Sequence, residues 1–176
     1  MSDKREAPEI RALREDDIAA LSALAREIWR AHYPGIISAA QIEYMLNERY
    51  NEAVIREELT RRDLWWYVLL LDGTMTGYTS YFWADRVNVR DTIKIDKLYL
   101  HQRAQRQGYG GMLVDHVARR MAGQGCKRLT LAVNRNNKAA IAAYNKHGFQ
   151  IVETSLKQIG GGFWMDDYIM VKSVNE

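Results

Sequence analysis

Cysteine is almost absent from this 176-residue chain. Cys126 stands alone, so no intrachain disulfide can form, and no CxxC pair or Cys/His cluster offers metal-ligand spacing. Neither a bound metal nor a catalytic thiol is expected, and Cys126 reads as a small, partly buried residue. Proline is nearly as scarce, with two residues. No Pro/Gly-rich linker, low-complexity tract or internal repeat divides the chain, so one domain over residues 1–176 is expected. No window approaches about 18 consecutive apolar residues, which argues against a transmembrane helix. The charged start "MSDKREAPEI" has no apolar stretch of the kind a signal peptide needs, and the cytoplasm is the expected location. The formal net charge is +3, with both signs spread along the chain rather than gathered into the basic face of a nucleic-acid binder. Nucleic-acid and membrane partners are not expected.

What is present is a regular alternation of elements. "PEIRALR" reads as a first strand, followed by a helix in which Ile18, Leu21, Leu24, Ala25, Ile28 and Trp29 recur at helical spacing. Asp16 or Asp17 can cap it, and Pro34-Gly35 ends it. "SAAQIEYML" carries a capping box from Ser38 to Gln41, and Asn51 caps a further turn or two through Leu59. Two β-rich runs flank Asp72-Gly73, a pair that favours a tight hairpin turn. In "DTIKIDKLYL" the apolar alternation slips between Asp96 and Leu98, from odd positions (Ile93, Ile95) to even ones (Leu98, Leu100). Such a slip predicts a β-bulge. Another helix, a strand, a short Ala-rich helix and two strands around Gly160-Gly161-Gly162 complete a β-α-α-β-β-β-α-β-α-β-β order, a mixed α/β arrangement. The run Trp65-Trp66-Tyr67 reads as core.

The stretch "HQRAQRQGYGGMLVDHVARR" places glycines directly before a helix. A helix N-terminus presents unpaired N–H groups and the positive end of the macrodipole, and glycines let the backbone curl around a phosphate. Gln105, Arg106, Gln107, Gly108, Tyr109, Gly110 and Gly111 fit that use. The Lys-Ser/Thr pair of a Walker A loop is missing. The third glycine of a dinucleotide fingerprint would fall at position 113, which is Leu113.

"LYLHQRAQRQGYGGML" followed by "LTLAVNRNNKAAIAAYNKHGFQIVET" resembles the GNAT superfamily of acyl-CoA-dependent N-acyltransferases. Its cofactor signature, Gln/Arg-x-x-Gly-x-Gly/Ala, is matched by Gln105, Gly108 and Gly110. "GGFWMDDYIMVK" and "IWRAHYPGIISAAQIEYML" look most like the polyamine (spermidine/spermine) acetyltransferase branch. The resemblance implies an α/β (α+β) fold: a mixed, mostly antiparallel sheet of about seven strands, a bulged and splayed fourth strand, and about four flanking helices. It implies acetyl-CoA as cofactor, with its pantetheine arm pairing along Leu98, Tyr99 and Leu100. The pyrophosphate would sit on the loop from Gln105 to Gly110, and the backbone N–H near Leu100 would face the thioester carbonyl.

The implied reaction is direct attack of an amine on the thioester. An alkylammonium like that of lysine has a pKa near 10.4, so the acceptor must lose a proton first. Tyr144 is the candidate acid for the leaving thiolate, with a core position on the Ile141 face as the alternative. Asn137 caps its helix and can touch the cofactor arm. Asp96, at the bulge, is the candidate base, acting directly or through water. Glu43, Asp166 and Asp167 are candidates to hold a cationic acceptor, and His32 and Tyr33 to line its cleft. The expected acceptor is a small-molecule primary amine, a polyamine first and a protein N-terminus or lysine second. A catalytically silent acetyl-CoA sensor is the reading from a different class, and the resemblance also allows a homodimer.

Overall fold

A computed structural model describes residues 7–84 and 90–174. The start of the chain read above for a signal peptide lies, in positions 1–6, outside the described residues. Seven strands, β1 (Pro8–Ala12), β2 (Leu64–Leu71), β3 (Thr74–Trp83), β4 (Thr92–Leu100), β5 (Arg128–Asn134), β6 (Gln150–Gly160) and β7 (Phe163–Ser173), form one sheet in the order β1-β2-β3-β4-β5-β7-β6. Every neighbouring pair is antiparallel except β4 and β5. The helices are α1 (Ile18–His32), α2 (Ala39–Tyr50), α3 (Glu52–Leu59), α4 (Tyr109–Ala122) and α5 (Lys138–Lys146). The further turn or two expected after Asn51 is thus the two-turn helix α3, whose Asn51 cap accepts the Val54 N–H at 2.9 Å. Among the described residues no helix is long and apolar enough to cross a membrane.

The sheet is covered on both faces, which explains the unbroken apolar run of β2. Trp66, Val68 and Leu70 join the cluster built by α1, α2 and α3, while Tyr67, Leu69 and Leu71 join the clusters on the α4 side. Each fully buried Leu or Ile in these layers contributes roughly 1.5–3 kcal/mol. The hairpin at Asp72-Gly73 forms as expected, both residues having positive φ, 48° and 80°. Cys126 is fully buried among the α4-side residues, and its Sγ–H donates to the Arg128 carbonyl.

Two capping expectations are corrected. Asp17 precedes α1, but its carboxylate turns back to the Arg14 N–H at 2.8 Å and to Arg11 at 2.6 Å instead of capping the helix. Ser38 does cap α2 by accepting the Gln41 N–H, but the Gln41 amide donates to the Trp164 carbonyl at 2.9 Å. That bond ties α2 to β7 rather than closing a capping box.

Candidate active site

The site begins at a fork. β4 and β5 pair in parallel only from Thr92↔Arg128 to Lys94↔Thr130 and then part. One residue beyond Ile95 the β3–β4 register also shifts: Ser80 faces Lys97 and Tyr81 faces Ile95, so Asp96 is the extra residue of a bulge. A bulge bends its strand and strengthens its twist, and here it carries β4 away from β5. The slip in apolar alternation marked this position.

Past the fork, β4 has a partner on the β3 side only. The His101 N–H bonds to the Thr76 carbonyl and the Lys97 carbonyl accepts from the Thr79 side-chain hydroxyl, so odd-numbered residues direct their backbone toward β3. By the alternation of an antiparallel ladder, Leu98 and Leu100 direct theirs into the fork. The Leu100 carbonyl is taken by the Gln105 amide at 3.1 Å, which fixes the loop to the end of the strand.

That loop enters α4 through Gly108, its N-cap, in the left-handed conformation at φ 87°. The N–H groups of the first turn, from Tyr109 onward, have no carbonyl ahead of them in the helix. Gly111 serves close packing instead: a methyl there would come within 2.5 Å of the His147 ring at the end of α5. α5 starts at Asn137, whose Oδ1 accepts from the Ala140 N–H. The same oxygen lies 3.2 Å from His32 Nε2, so that nitrogen carries the proton and links the end of α1 to the start of α5.

A cleft of about 920 Å³ runs from this loop through the fork. Of the residues singled out from the sequence, it gathers His32, Tyr33, Asp96, Leu98, Tyr99, Leu100, Gln105, Arg106, Gly108, Gly110, Gly111, Asn137, Tyr144 and Asp167. Gln107 and Tyr109 belong to the same loop but turn elsewhere, Gln107 donating to the Arg103 carbonyl and Tyr109 packing against buried Leu69, Leu71 and Leu113. Glu43 and Asp166 lie outside the cleft. Glu43 pairs with Arg30 at 2.8 Å on the exposed side of α2, and Asp166 pairs with Arg135 at 3.5 Å. Cys126 is not among the lining residues.

Beyond the fork the cleft is walled by Trp29, Tyr33, Tyr44 and Tyr99, with the hydroxyls of Tyr33 and Tyr99 2.8 Å apart. The charged residues there are Glu48, Arg49, Lys94, Asp96, Lys157 and Asp167. Asp96 lies 2.9 Å from Arg49 and 2.7 Å from Lys97. Burial alone would raise its pKa, but these two cations outweigh it and hold the carboxyl well below the usual carboxylate range. A carboxylate so held is a weak proton acceptor. Asp167 is the opposite case: burial and the nearby Asp166 push it up to about 6, against the pull of Lys94 and Arg49. Burial also raises the Tyr144 hydroxyl above the ordinary tyrosine value, so it stays protonated at neutral pH.

The clamp on Asp96 gives a stability prediction. Asp96→Asn leaves Arg49 and the 2 % exposed Lys97 without their main counter-charge, and removing one partner of a buried pair costs about 3–5 kcal/mol. The expected fall in Tm, read by calorimetry at pH 7, is roughly 6–20 °C for a chain of this size. Because the folded pKa of Asp96 is depressed, its contribution is present above its unfolded value, near 3.9, and is lost as pH falls through the lower folded value. The gap between wild type and variant is therefore expected to narrow below about pH 4.

A family model for the acetyltransferase (GNAT) family matches residues 21–149. A spermidine N(1)-acetyltransferase of Thermoplasma acidophilum is 27 % identical over 150 residues, covering 83 % of this chain and 90 % of the relative. A 5-NmdU N-acetyltransferase of Pseudomonas phage PaMx11 is 27 % identical over 121 residues, covering 69 % of this chain and 82 % of the relative. The crystal structure of a PaiA N-acetyltransferase from Thermoplasma acidophilum in complex with coenzyme A superposes with a TM-score of 0.80 at 26 % identity, covering 95 % of this chain and 99 % of that one.

Proposed function

The chain belongs to the acetyltransferase (GNAT) family, and from that premise we propose that the amine it acetylates is a polyamine. Membership makes it an acetyl-CoA-dependent N-acetyltransferase with a mixed α/β fold. The acceptor reading rests on one observation. The far end of the cleft combines aromatic faces, from Trp29, Tyr33, Tyr44 and Tyr99, with the carboxylates of Glu48, Asp96 and Asp167. Rings present their negative faces to a cation and carboxylates accept its N–H groups. The similarity to a spermidine N(1)-acetyltransferase supports the same choice.

Acetyl-CoA supplies a thioester activated for attack, and the lining of the cleft supports the following reading of the residues that receive it. Leu98 and Leu100 offer backbone groups to the pantetheine arm, with Tyr99 between them. The loop from Gln105 to Gly111, with Arg106, receives the pyrophosphate. Each charge-assisted hydrogen bond there is worth roughly 1.5–3 kcal/mol. Asn137 holds the arm from the α5 side. Tyr144, two turns into α5, donates its O–H to the sulfur as the C–S bond breaks. His32 and Tyr33 line the acceptor end, and Asp96 is there a fixed hydrogen-bond acceptor whose charge is balanced by Arg49 and Lys97. Glu43 and Asp166, facing away from the cleft, are given no part.

A second reading, a peptide N-terminus or lysine, draws on Lys94 and Lys157, which line the same end and would favour an acceptor carrying its own carbonyl or carboxylate groups. Thiol release from acetyl-CoA over a panel of spermidine, spermine, diamines, amino acids, aminoglycosides and short peptides separates the two. Polyamines are expected to give the highest kcat/KM. Faster turnover of peptides with free N-termini would replace the polyamine reading with the peptide one.

A further inference from the structure

The most buried carboxylate of the cleft, counted above only among those that face the cationic acceptor, has so far no part in the bond-making steps. Asp167 lies on β7 between two neighbours, opposite Asn134 of β5 and Ser155 of β6. It therefore stands at the far end of β5, beyond the point where β4 has parted from it. It shares the cleft-facing side of β7 with Met165 and Ile169. Its exposure is 6 %, and among the described residues its Oδ1 has no hydrogen-bond partner. Buried polar atoms are almost always bonded, and an exception asks for an explanation. A buried carboxylate on the wall of a substrate cleft can take the missing donor from a bound substrate.

The charged and titratable groups around it come from every packed element. α2 brings Glu48 and Arg49, β4 brings Lys94 and Asp96, β6 brings Lys157, and Tyr33 stands at the end of α1. On β7 itself, Asp166 points to the other face and pairs with Arg135. Asp96 is neutralised by Arg49 and Lys97, so it has little to offer a proton. No cation lies within ion-pair distance of Asp167 among the pairs formed by the described residues.

We propose that Asp167 takes the proton that the acceptor ammonium must lose before it attacks the thioester. The inference rests on the amine-acetylating reading above. One N–H proton passes to the Asp167 carboxylate, and the freed nitrogen lone pair forms the C–N bond as the C–S bond breaks. The thiolate takes a proton from Tyr144. The second N–H proton, lost as the amide forms, restores Tyr144 through solvent, and Asp167 returns its proton to bulk water. One proton is released per turnover, as conversion of an ammonium and a thioester into an amide and a thiol requires. With its pKa pushed up to about 6, Asp167 is roughly nine-tenths ionised at pH 7 yet more basic than an ordinary carboxylate.

The test is the pH dependence of kcat/KM for the amine in wild type and in Asp167→Asn, which keeps the side-chain shape. The wild-type profile is expected to fall below about pH 6 as Asp167 protonates. In the variant the rate at pH 7 is expected to drop roughly 10²-fold or more. That acidic limb should be replaced by a steady rise of about tenfold per pH unit as solution supplies free amine, with acetyl-CoA affinity unchanged within about twofold. Asp167→Ser, smaller than Asn, gives the same reading without depending on the fit of the amide. A variant that keeps the wild-type rate, or keeps the limb near pH 6, overturns the assignment of Asp167 alone. A wild type that binds acetyl-CoA but releases no thiol with any amine overturns the functional reading itself, and the proton acceptor with it.

Discussion

Gly108→Val is expected to weaken acetyl-CoA binding by roughly 10²–10⁴-fold while the protein stays folded. The effect comes from backbone conformation, not from crowding. Gly108 has φ 87°, and a Cβ there would meet nothing within 4 Å. An L-residue in the left-handed region carries a penalty of about 1–2 kcal/mol, higher for a β-branched one. Relief requires the N-cap to rotate, which turns the first N–H groups of α4 away from the pyrophosphate. Losing two charge-assisted bonds at roughly 1.5–3 kcal/mol each gives about 3–6 kcal/mol, the stated range in Kd. The strain itself is expected to lower Tm by only about 2–8 °C. Titration calorimetry with acetyl-CoA, alongside a melting curve, reads both. Unchanged affinity in a folded variant would remove the loop from Gln105 to Gly111 from the phosphate-binding role.

Tyr144→Phe is expected to lower kcat by roughly 10²-fold and to change KM for acetyl-CoA much less. General acids contribute about 10²–10⁴-fold, and the low end is appropriate here for a physical reason. Burial raises the Tyr144 pKa above its ordinary value, while the leaving thiolate has a pKa of about 8–9. Proton transfer from Tyr144 to the departing sulfur therefore runs uphill, which limits the gain expected from the acid role proposed for it. The same raised pKa means that the hydroxyl stays protonated past about pH 10. Activity is therefore expected to show no alkaline decline from this group below that pH. A wild-type kcat in the phenylalanine variant would take Tyr144 out of the mechanism.

Much of the site was legible because local rules and tertiary demands agree there. The bulge at Asp96 announced itself as a break in a two-residue period, since an extra residue moves every later side chain to the other face. The glycine entry to α4 was legible because positive φ before a helix calls for glycine, and Gly108 supplies it. The acidic residues were harder to place. Glu43 is off the buried stripe of α2, formed by Gln41, Ile42, Met45, Leu46 and Tyr50, and the 3.6-residue period alone points it outward. Arg49 sits seven residues after Ile42, on that same stripe. A cation on an apolar helix face signals a buried ion pair, and Asp96 is its partner.

Asp166 and Asp167 are a different problem. They are adjacent on a strand paired on both sides, with Met165 and Ile169 on one face and Trp164, Tyr168 and Met170 on the other. Both alternations are apolar, so the sequence pattern does not tell which aspartate enters the cleft. Only the register of β7 against β5 and β6 does. The diversion of the Gln41 side chain likewise depends on a distant partner, Trp164, whereas Asp17 is diverted locally, by Arg11 and the Arg14 N–H.

The most direct test of the central claim is the stoichiometry of acetyl transfer from acetyl-CoA to spermidine by the purified protein, following free thiol and N-acetylated amine together. The account predicts saturable release of one thiol per acetylated amine, with no burst of acetylated protein and the same rate in Cys126→Ala, because the amine attacks the thioester directly. Acetyl-CoA that binds but yields neither thiol nor acetylated amine with any acceptor, or an acetyl group that first accumulates on the protein, would contradict it.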